Sequence, residues 1–309
     1  MRTIRGWRGL AAGDRGASLA FGAFDGVHRG HAQVIAAADA QARALGAPLA
    51  AVAFEPHPWR WFHPDDPPFL LTTPGQQSRR FAALGVEREY VLPFDDHLAG
   101  LSAEDFAREV LSEGLGVRHV TVGFDTTFGR GRTGDTVLLR RLGVELGFGV
   151  AVVAEVADSE GVKLSSTAAR RALIDGDPRH AAEILGRPFA IEGVVQQGRK
   201  LGRELGFPTA NVELGDYVRP KLGIYATRTR LADSRVVPGV ASVGTNPTVG
   251  VVDARLEVWL FDFDGDLYGQ TIETELVDYL RPEQRFDSLD ELTTQVRRDA
   301  ARAREILRA

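Results

Sequence analysis

Phe21-Gly22-Ala23-Phe24-Asp25-Gly26-Val27-His28-Arg29-Gly30-His31 is the stretch that decides the fold. It closes an apolar run, Ala17 to Phe24, suited to a buried strand. It leads into His31 to Leu45, where apolar residues recur at helical spacing until Gly46 stops them. A strand turning through glycines into a helix brings backbone N–H groups and the positive end of the helix dipole to one point, which favours phosphate. Two histidines three residues apart add directional donors that can follow charge onto a departing pyrophosphate. Gly22, Gly26 and Gly30 let the backbone approach a nucleotide closely. A corner with two exposed imidazoles is the bland alternative. The position after the first strand of a parallel sheet favours a ligand site, because ligands bind at strand C-terminal ends.

Working outward, the alternation continues. Leu49 to Phe54, Tyr90 to Leu92, Val117 to Val122 and Val150 to Val156 read as strands. Helical character falls at Arg79 to Leu84, after the Ser102/Asp105 cap, and at Thr136 to Leu146. A Pro- and aromatic-rich loop separates Glu55 from about Leu71. Near residue 186 the helical period disappears, and short β-rich runs follow: Phe189 to Val195, Gly223 to Leu231, Val236 to Val243, Arg255 to Phe263 and Thr271 to Tyr279. Asp264-Gly265 reads as a tight hairpin, and Leu289 to Leu307 as a charged helix. The expected class is α/β. A Rossmann-like domain with a parallel sheet covers 1–186, and a small β-barrel domain closed by a C-terminal helix covers 187–309.

Composition limits the chemistry. The 309 residues are 44% hydrophobic and 26% charged, with a net charge of −5 and no cysteine. A thiol nucleophile, disulfides, iron–sulfur clusters and Cys-held zinc are excluded. The balance of charge argues against nucleic acid as partner. The longest largely apolar stretch, around Phe148 to Ala157, is too short to span a bilayer. Asp14 and Arg15 interrupt any signal-like run, so a cytoplasmic protein is expected. His57, His63, His97, His119 and His180 show no metal-ligand spacing.

Ser165-Ser166-Thr167-Ala168-Ala169-Arg170 offers a second phosphate feature. Ser166 and Thr167 can cap the next helix, Arg170 lies one turn inside it, and Lys163 precedes them. Gly129-Arg130-Gly131-Arg132-Thr133-Gly134 matches a dinucleotide fingerprint, the basis of an alternative reading as an NAD oxidoreductase. Phe124 to Phe128 intervene between the strand and the first glycine, which counts against it. In the second domain, Gly198-Arg199-Lys200-Leu201-Gly202-Arg203-Glu204-Leu205-Gly206-Phe207-Pro208-Thr209-Ala210-Asn211 supplies a glycine-rich run. The Thr209 hydroxyl and Asn211 amide oxygen are hard ligands suited to Mg²⁺. Glu257 alternates away from Leu256, Val258 and Leu260, beside Trp259. Asp262, Asp264 and Asp266 lack the glycine spacing of a calcium loop.

These strings together resemble the bacterial bifunctional riboflavin kinase/FAD synthetase family. Gly22 to His31 resembles its nucleotidyltransferase signature, Phe54-Glu55-Pro56-His57-Pro58 its FEPHP loop, Ser165 to Arg170 its SSTxxR motif, and Gly198 to Asn211 its kinase signature. Pro220 to Ala226, Gly244 to Thr248 (a turn in that family), Leu256 to Leu260 and Arg281 to Phe286 resemble further segments in order.

The resemblance implies two activities: phosphorylation of riboflavin by ATP to FMN, and adenylylation of FMN by ATP to FAD and pyrophosphate, with Mg²⁺ in both. It implies an adenylyl site with His28 and His31 in catalysis. Gly22, Phe24, Asp25, Gly26, Gly30, Lys163, Ser166, Thr167 and Arg170 would hold ATP there, and Phe54, Asp125 and Phe128 FMN. For the kinase it implies Glu257 as base and Gly198, Gly202, Arg203, Gly206, Phe207 and Pro208 on ATP. Thr209 and Asn211 would hold Mg²⁺, and Arg281 and Phe286 would face the flavin. Ala23 and Thr126 depart from the family pattern. They motivate a second expectation, a kinase with an impaired adenylyl domain. A non-catalytic nucleotide- or flavin-binding regulator is a third.

Overall fold

The structure, a computed structural model, describes residues 1–157, 161, 163–198, 202, 205–248 and 251–308, with backbone alone for 246–248 and 251–253. Arg199, Lys200, Leu201, Arg203 and Glu204 of the glycine-rich signature lie outside the described residues. The chain packs as two compact units, residues 1–66 with 74–164, and residues 67–73 with 165–309.

The first unit is a parallel sheet of β1 (Arg2–Arg5), β2 (Ser18–Ala20), β3 (Leu49–Glu55), β4 (Arg88–Pro93), β5 (His119–Gly123) and β6 (Gly149–Val153). Their order is β1-β4-β3-β2-β5-β6. Successive side chains of a strand face opposite ways, and β3 shows it. Ala50 and Val52 join a core with Leu19, Tyr90 and Val120, while Ala51 and Ala53 join one with Val34, Ile35 and Phe81. The helices are α1 (Arg29–Leu45), α2 (Pro58–Phe62), α3 (Pro74–Ala83), α4 (Asp96–Gly100), α5 (Ala103–Asp105, continuing as a π-helix over Phe106–Gly114) and α6 (Thr136–Leu146). α1 ends where Gly46 takes φ 57, a left-handed cap that needs no Cβ. From β2 the chain turns one way to β3 and later returns on its other side as β5. Phe21–His31 therefore leaves the sheet at its switch point.

The second unit carries α7 (Ser166–Asp175), α8 (Pro178–Leu185) and six antiparallel strands: β7 (Phe189–Val194), β8 (Thr209–Glu213), β9 (Gly223–Arg230), β10 (Val236–Thr248), β11 (Val251–Leu260) and β12 (Thr271–Arg281). The order is β7-β12-β9-β10-β11-β8. The sheet curls until Gln196 beyond β7 donates its N–H to the Asn211 carbonyl on β8 at 2.8 Å. α9 (Leu289–Arg308) lays Ala300 and Ala303 against Ala226, Val240 and Phe261.

The α/β class and the β-rich second half agree with the sequence reading; details differ. β1 and β8 were not expected as strands, being short and polar. Gly244 to Thr248 continues β10 rather than turning. Asp264-Gly265 is not a hairpin, because β11 and β12 are not neighbours, and the connection crosses over. α7 is capped by Ser165, whose hydroxyl accepts from the Ala168 N–H at 3.1 Å, while Ser166 is already helical.

Candidate active sites

The first site is built by the turn after β2. Phe24, Gly26 and Val27 hold φ of 54, 79 and 40. Left-handed backbone at a β-branched valine costs about 1–3 kcal/mol, and such strain concentrates at functional turns. Two contacts support the turn. Phe24, 1% exposed, sets its ring edge-on to His31 at 5.0 Å and to Phe81 at 5.5 Å. From α3, the Gln77 amide donates to the Ala23 carbonyl at 3.1 Å. The structure thus gives Phe24 a scaffolding place beneath the histidines.

His28 caps α1, its Nδ1 accepting from the His31 N–H at 3.2 Å. An imidazole that accepts at Nδ1 carries its proton on Nε2, so the second ring nitrogen of His28 is a donor. The His28 and His31 rings stack at 3.5 Å with 22° between planes. Gly30 makes this possible: a Cβ there would stand 3.0 Å from the His28 ring and 3.4 Å from the Leu164 carbonyl. His28 and Asp25 are both buried.

After β5, Lys163 Nζ and Asp125 Oδ2 are 2.5 Å apart, and the ammonium lies 4.7 Å from the Phe124 ring centre. Phe54 touches Phe21 at 6.2 Å and Phe94 at 5.8 Å. Phe128 is 6% exposed and sits in the core against Phe21 and Phe106. Sequence reasoning passed over an aromatic surface here. Trp61 and Phe62 set their rings edge-on to Phe94, and Phe62 is 58% exposed. Its signal was the aromatic density of residues 59–62 in a long loop.

The glycines of the dinucleotide-like stretch serve packing. A Cβ on Gly129 would meet the Ala103 backbone at 2.6 Å, and one on Gly134 the Ala103 Cβ at 2.7 Å. Phe128 and Gly134 also exchange backbone hydrogen bonds. Two of the three fingerprint glycines are thus held by packing, which counts further against the NAD alternative. His119, the one other histidine fully buried among the described residues, lies on β5 beside Thr121, and burial pushes its imidazole pKa down.

In the second unit, α7 begins at its Ser165 cap, and the Arg170 Nε donates to the Phe69 carbonyl at 2.7 Å, with the guanidinium 5.3 Å from the Phe69 ring.

The site on the curled sheet follows from register. Glu257 on β11 lies directly opposite Asn211 on β8, and Trp259 opposite Thr209. Opposite residues of an antiparallel pair share a face, with Cβ atoms about 4.5–5.5 Å apart. Thr209, Asn211, Glu257 and Trp259 therefore project together, while Leu256, Val258 and Leu260 are buried on the other face. Asn211 is 7% exposed, and its amide donates to the Thr209 carbonyl at 3.4 Å. The Phe207 ring meets Trp259 edge-on at 4.8 Å, and Phe207 donates its N–H to the Gly202 carbonyl at 2.7 Å.

A cavity of about 300 Å³ opens at Thr209 and Asn211. Gly198, Pro208 and these two residues line one side, Phe263, Asp264, Gly265, Asp266 and Tyr268 the other, and Val258 and Leu260 of the opposite face its floor; Glu257 stands outside it. Sequence reasoning missed the second wall, because its Asp-Gly pair carries the same local chemistry in a crossover loop as in a hairpin. Gly198 lets Asn211 stand where it does: a Cβ would fall 2.5 Å from the Asn211 amide nitrogen. Gly198→Ala is expected to lower any activity that relies on Asn211 by at least about tenfold; displaced positioning groups cost on this scale.

Two family models match the chain. One, described as FAD synthetase, covers residues 11–168, and one described as riboflavin kinase covers residues 185–307. The bifunctional riboflavin kinase/FMN adenylyltransferase of Escherichia coli strain K12 is 42% identical over 306 residues, spanning 99% of this chain and 97% of that protein. The protein of that description from Pseudomonas fluorescens is 42% identical over 307 residues, spanning 99% and 98%. The one from Bacillus subtilis is 36% identical over 291 residues, spanning 92% and 90%. Among solved structures, a macrolide-efflux protein from Streptococcus pneumoniae superposes with a TM-score of 0.86 at 30% identity, covering 97% of each chain. Among the described residues, no helix is long and apolar enough to cross a membrane.

Proposed function

The chain belongs to the bifunctional riboflavin kinase/FMN adenylyltransferase family, and we propose how its residues divide the two reactions. The β-rich domain transfers the γ-phosphoryl of ATP to riboflavin, giving FMN and ADP. The α/β domain transfers the adenylyl group of a second ATP to FMN, giving FAD and pyrophosphate. The functional division falls at about residue 186, with 1–186 for adenylyl transfer and 187–309 for the kinase. Whole-length relatives bearing both activities give no sign of an impaired first domain.

The observation that carries the kinase assignment is the register placing Glu257 opposite Asn211. The acceptor is a neutral alcohol. Glu257 takes its proton as the oxygen attacks the γ-phosphorus and ADP departs. Thr209 and Asn211 fit a magnesium ion: both offer hard oxygens, both line the cavity, and Gly198 leaves them room. When bound, the ion neutralises charge on the phosphates. Gly198, Gly202, Gly206, Phe207 and Pro208 hold the triphosphate, with Arg203 proposed from the signature alone. The wall from Phe263 to Tyr268 receives the nucleoside.

In the first domain the attacker is the FMN phosphate, largely ionised at neutral pH with a second pKa near ~6. No base is needed. The work is to hold two anions together and stabilise charge moving onto pyrophosphate. The α1 N-terminus and the His28 and His31 donors do that, with Gly22, Asp25, Gly26, Gly30 and Lys163 shaping the site. Ser166, Thr167 and Arg170 retain a helix start and a guanidinium suited to phosphate. Phe54 and Asp125 are assigned to the flavin, with Phe128 packed behind Phe21. The cytoplasm, where ATP and magnesium are abundant, is the proposed location, with no nucleic-acid partner.

Incubation with riboflavin, ATP and magnesium, followed by chromatography over time, tests this. FMN appearing first and then declining as FAD rises supports it. FMN accumulating with no FAD would restore the impaired-domain reading, and no ADP release would favour a regulator.

A further inference from the structure

Arg281 on β12 lies opposite Ile224 on β9. Ile224 is opposite Ser242, and Ser242 opposite Glu257. One row across the sheet, displaced by a shift of register between Tyr279 and Arg281, therefore runs from Arg281 to the proposed base, and α9 packs on the face of this row that carries Ile224 and Trp259. Its guanidinium is turned to α9. Nε meets the Asp299 carboxylate oxygens at 3.0 and 3.1 Å, Nη2 meets Oδ2 at 2.7 Å, and Nη1 donates to the Pro282 carbonyl at 2.9 Å. Asp299 is 6% exposed, and Gln295, one turn earlier, donates to its Oδ1 at 2.9 Å.

The loop beyond Arg281 folds back over the same face. The Phe286 ring lies 5.8 Å from the guanidinium. The Glu283 carboxylate lies so close to Gly244 that a Cβ there would be 2.3 Å from it. Gly244 is two residues along β10 from Ser242 and shares its face. Bidentate pairing fixes a guanidinium in orientation as well as position.

We propose that Asp299 is a positioning residue for the flavin acceptor. Through Arg281 it locks the 281–286 loop and α9 as a wall over the sheet face that holds Glu257, and so sets how tightly riboflavin is held without touching the transferred phosphoryl group. The inference rests on the kinase reading above.

The test is steady-state kinase kinetics on the full chain carrying Asp299→Asn or, as a milder loosening, Gln295→Met. FAD formation from supplied FMN and far-UV circular dichroism run alongside. In Asp299→Asn the KM for riboflavin is expected to rise about tenfold or more, with the KM for ATP and kcat at saturating riboflavin each within about threefold; this is the signature of lost acceptor binding. Asp299→Glu is expected to recover part of the loss. Gln295→Met is expected to raise the riboflavin KM about threefold. A folded Asp299→Asn variant with unchanged riboflavin KM, or one whose kcat alone falls, overturns the proposal. If Asp299→Asn does not fold, an unchanged riboflavin KM in Gln295→Met overturns it. Failure of the kinase reading itself shows elsewhere, as a wild-type chain that forms no FMN.

Discussion

Replacing Glu257 with Gln is expected to cut FMN formation by about 10²–10⁴-fold, the usual contribution of a positioned general base. The substitution keeps length and hydrogen-bonding shape, so packing against Asn211 and Ser242, its cross-strand neighbours, is preserved. Only the capacity to take up a proton is removed. The loss should fall on kcat, with KM for riboflavin and for ATP changed little, because the interaction matters only as the alcohol oxygen attacks. The acidic limb of the wild-type pH–rate profile reports protonation of the base, and it should vanish in the variant. FAD formation from supplied FMN should continue at the wild-type rate, since that reaction has no proton to remove and is proposed for residues 1–186. A Glu257→Gln protein that makes FMN at near the normal rate would remove the base from this mechanism.

The contrast between the two sites also explains which parts could be read from the chain alone. The first site is local. His28, Gly30 and His31 lie within one turn at the start of α1, and the cap, the ring stack and the close approach of Gly30 to the His28 ring involve neighbours in sequence. Glycine and histidine types at that spacing already constrain the geometry. Gly46 likewise ended α1 where expected, because a left-handed residue after a helix is a backbone demand that sequence states directly. The second site is non-local. Alternation along β11 gave the face of Glu257, yet only pairing with β8 sets Thr209 and Asn211 opposite Trp259 and Glu257. Strand register is decided by the whole curled sheet rather than by either segment. The ion pair between Arg281 and Asp299 joins β12 to α9; the resemblance marked Arg281 for the flavin, but nothing in the sequence pairs it with Asp299. The cap of α7 shows the limit on a smaller scale. Ser165, Ser166 and Thr167 are all competent caps, and the chain's entry direction chose Ser165.

For the adenylyl reaction, substituting both His28 and His31 is expected to lower FAD formation by at least about 10²–10³-fold, the scale of removing one preorganised donor to developing anionic charge. The choice of residue separates chemistry from folding. His28→Ala removes the Nε2 donor together with the α1 cap, which is held by Nδ1 at 3.2 Å from the His31 N–H. His28→Asn returns a strong capping side chain but no imidazole, and restoring a cap recovers about 1 kcal/mol of helix stability. If His28 matters as a donor, the Asn and Ala variants should be about equally slow although Asn is the more stable. At His31, Gln keeps a donor in reach while giving up the ring that stacks on His28 and meets Phe24 edge-on. It should therefore retain more activity than His31→Ala. FMN formation from riboflavin should be unchanged throughout, so the mixture accumulates FMN. The argument turns on His28→Asn: full FAD synthesis in that protein would make the imidazole a helix cap and nothing more, leaving charge stabilisation to the backbone N–H groups at the start of α1.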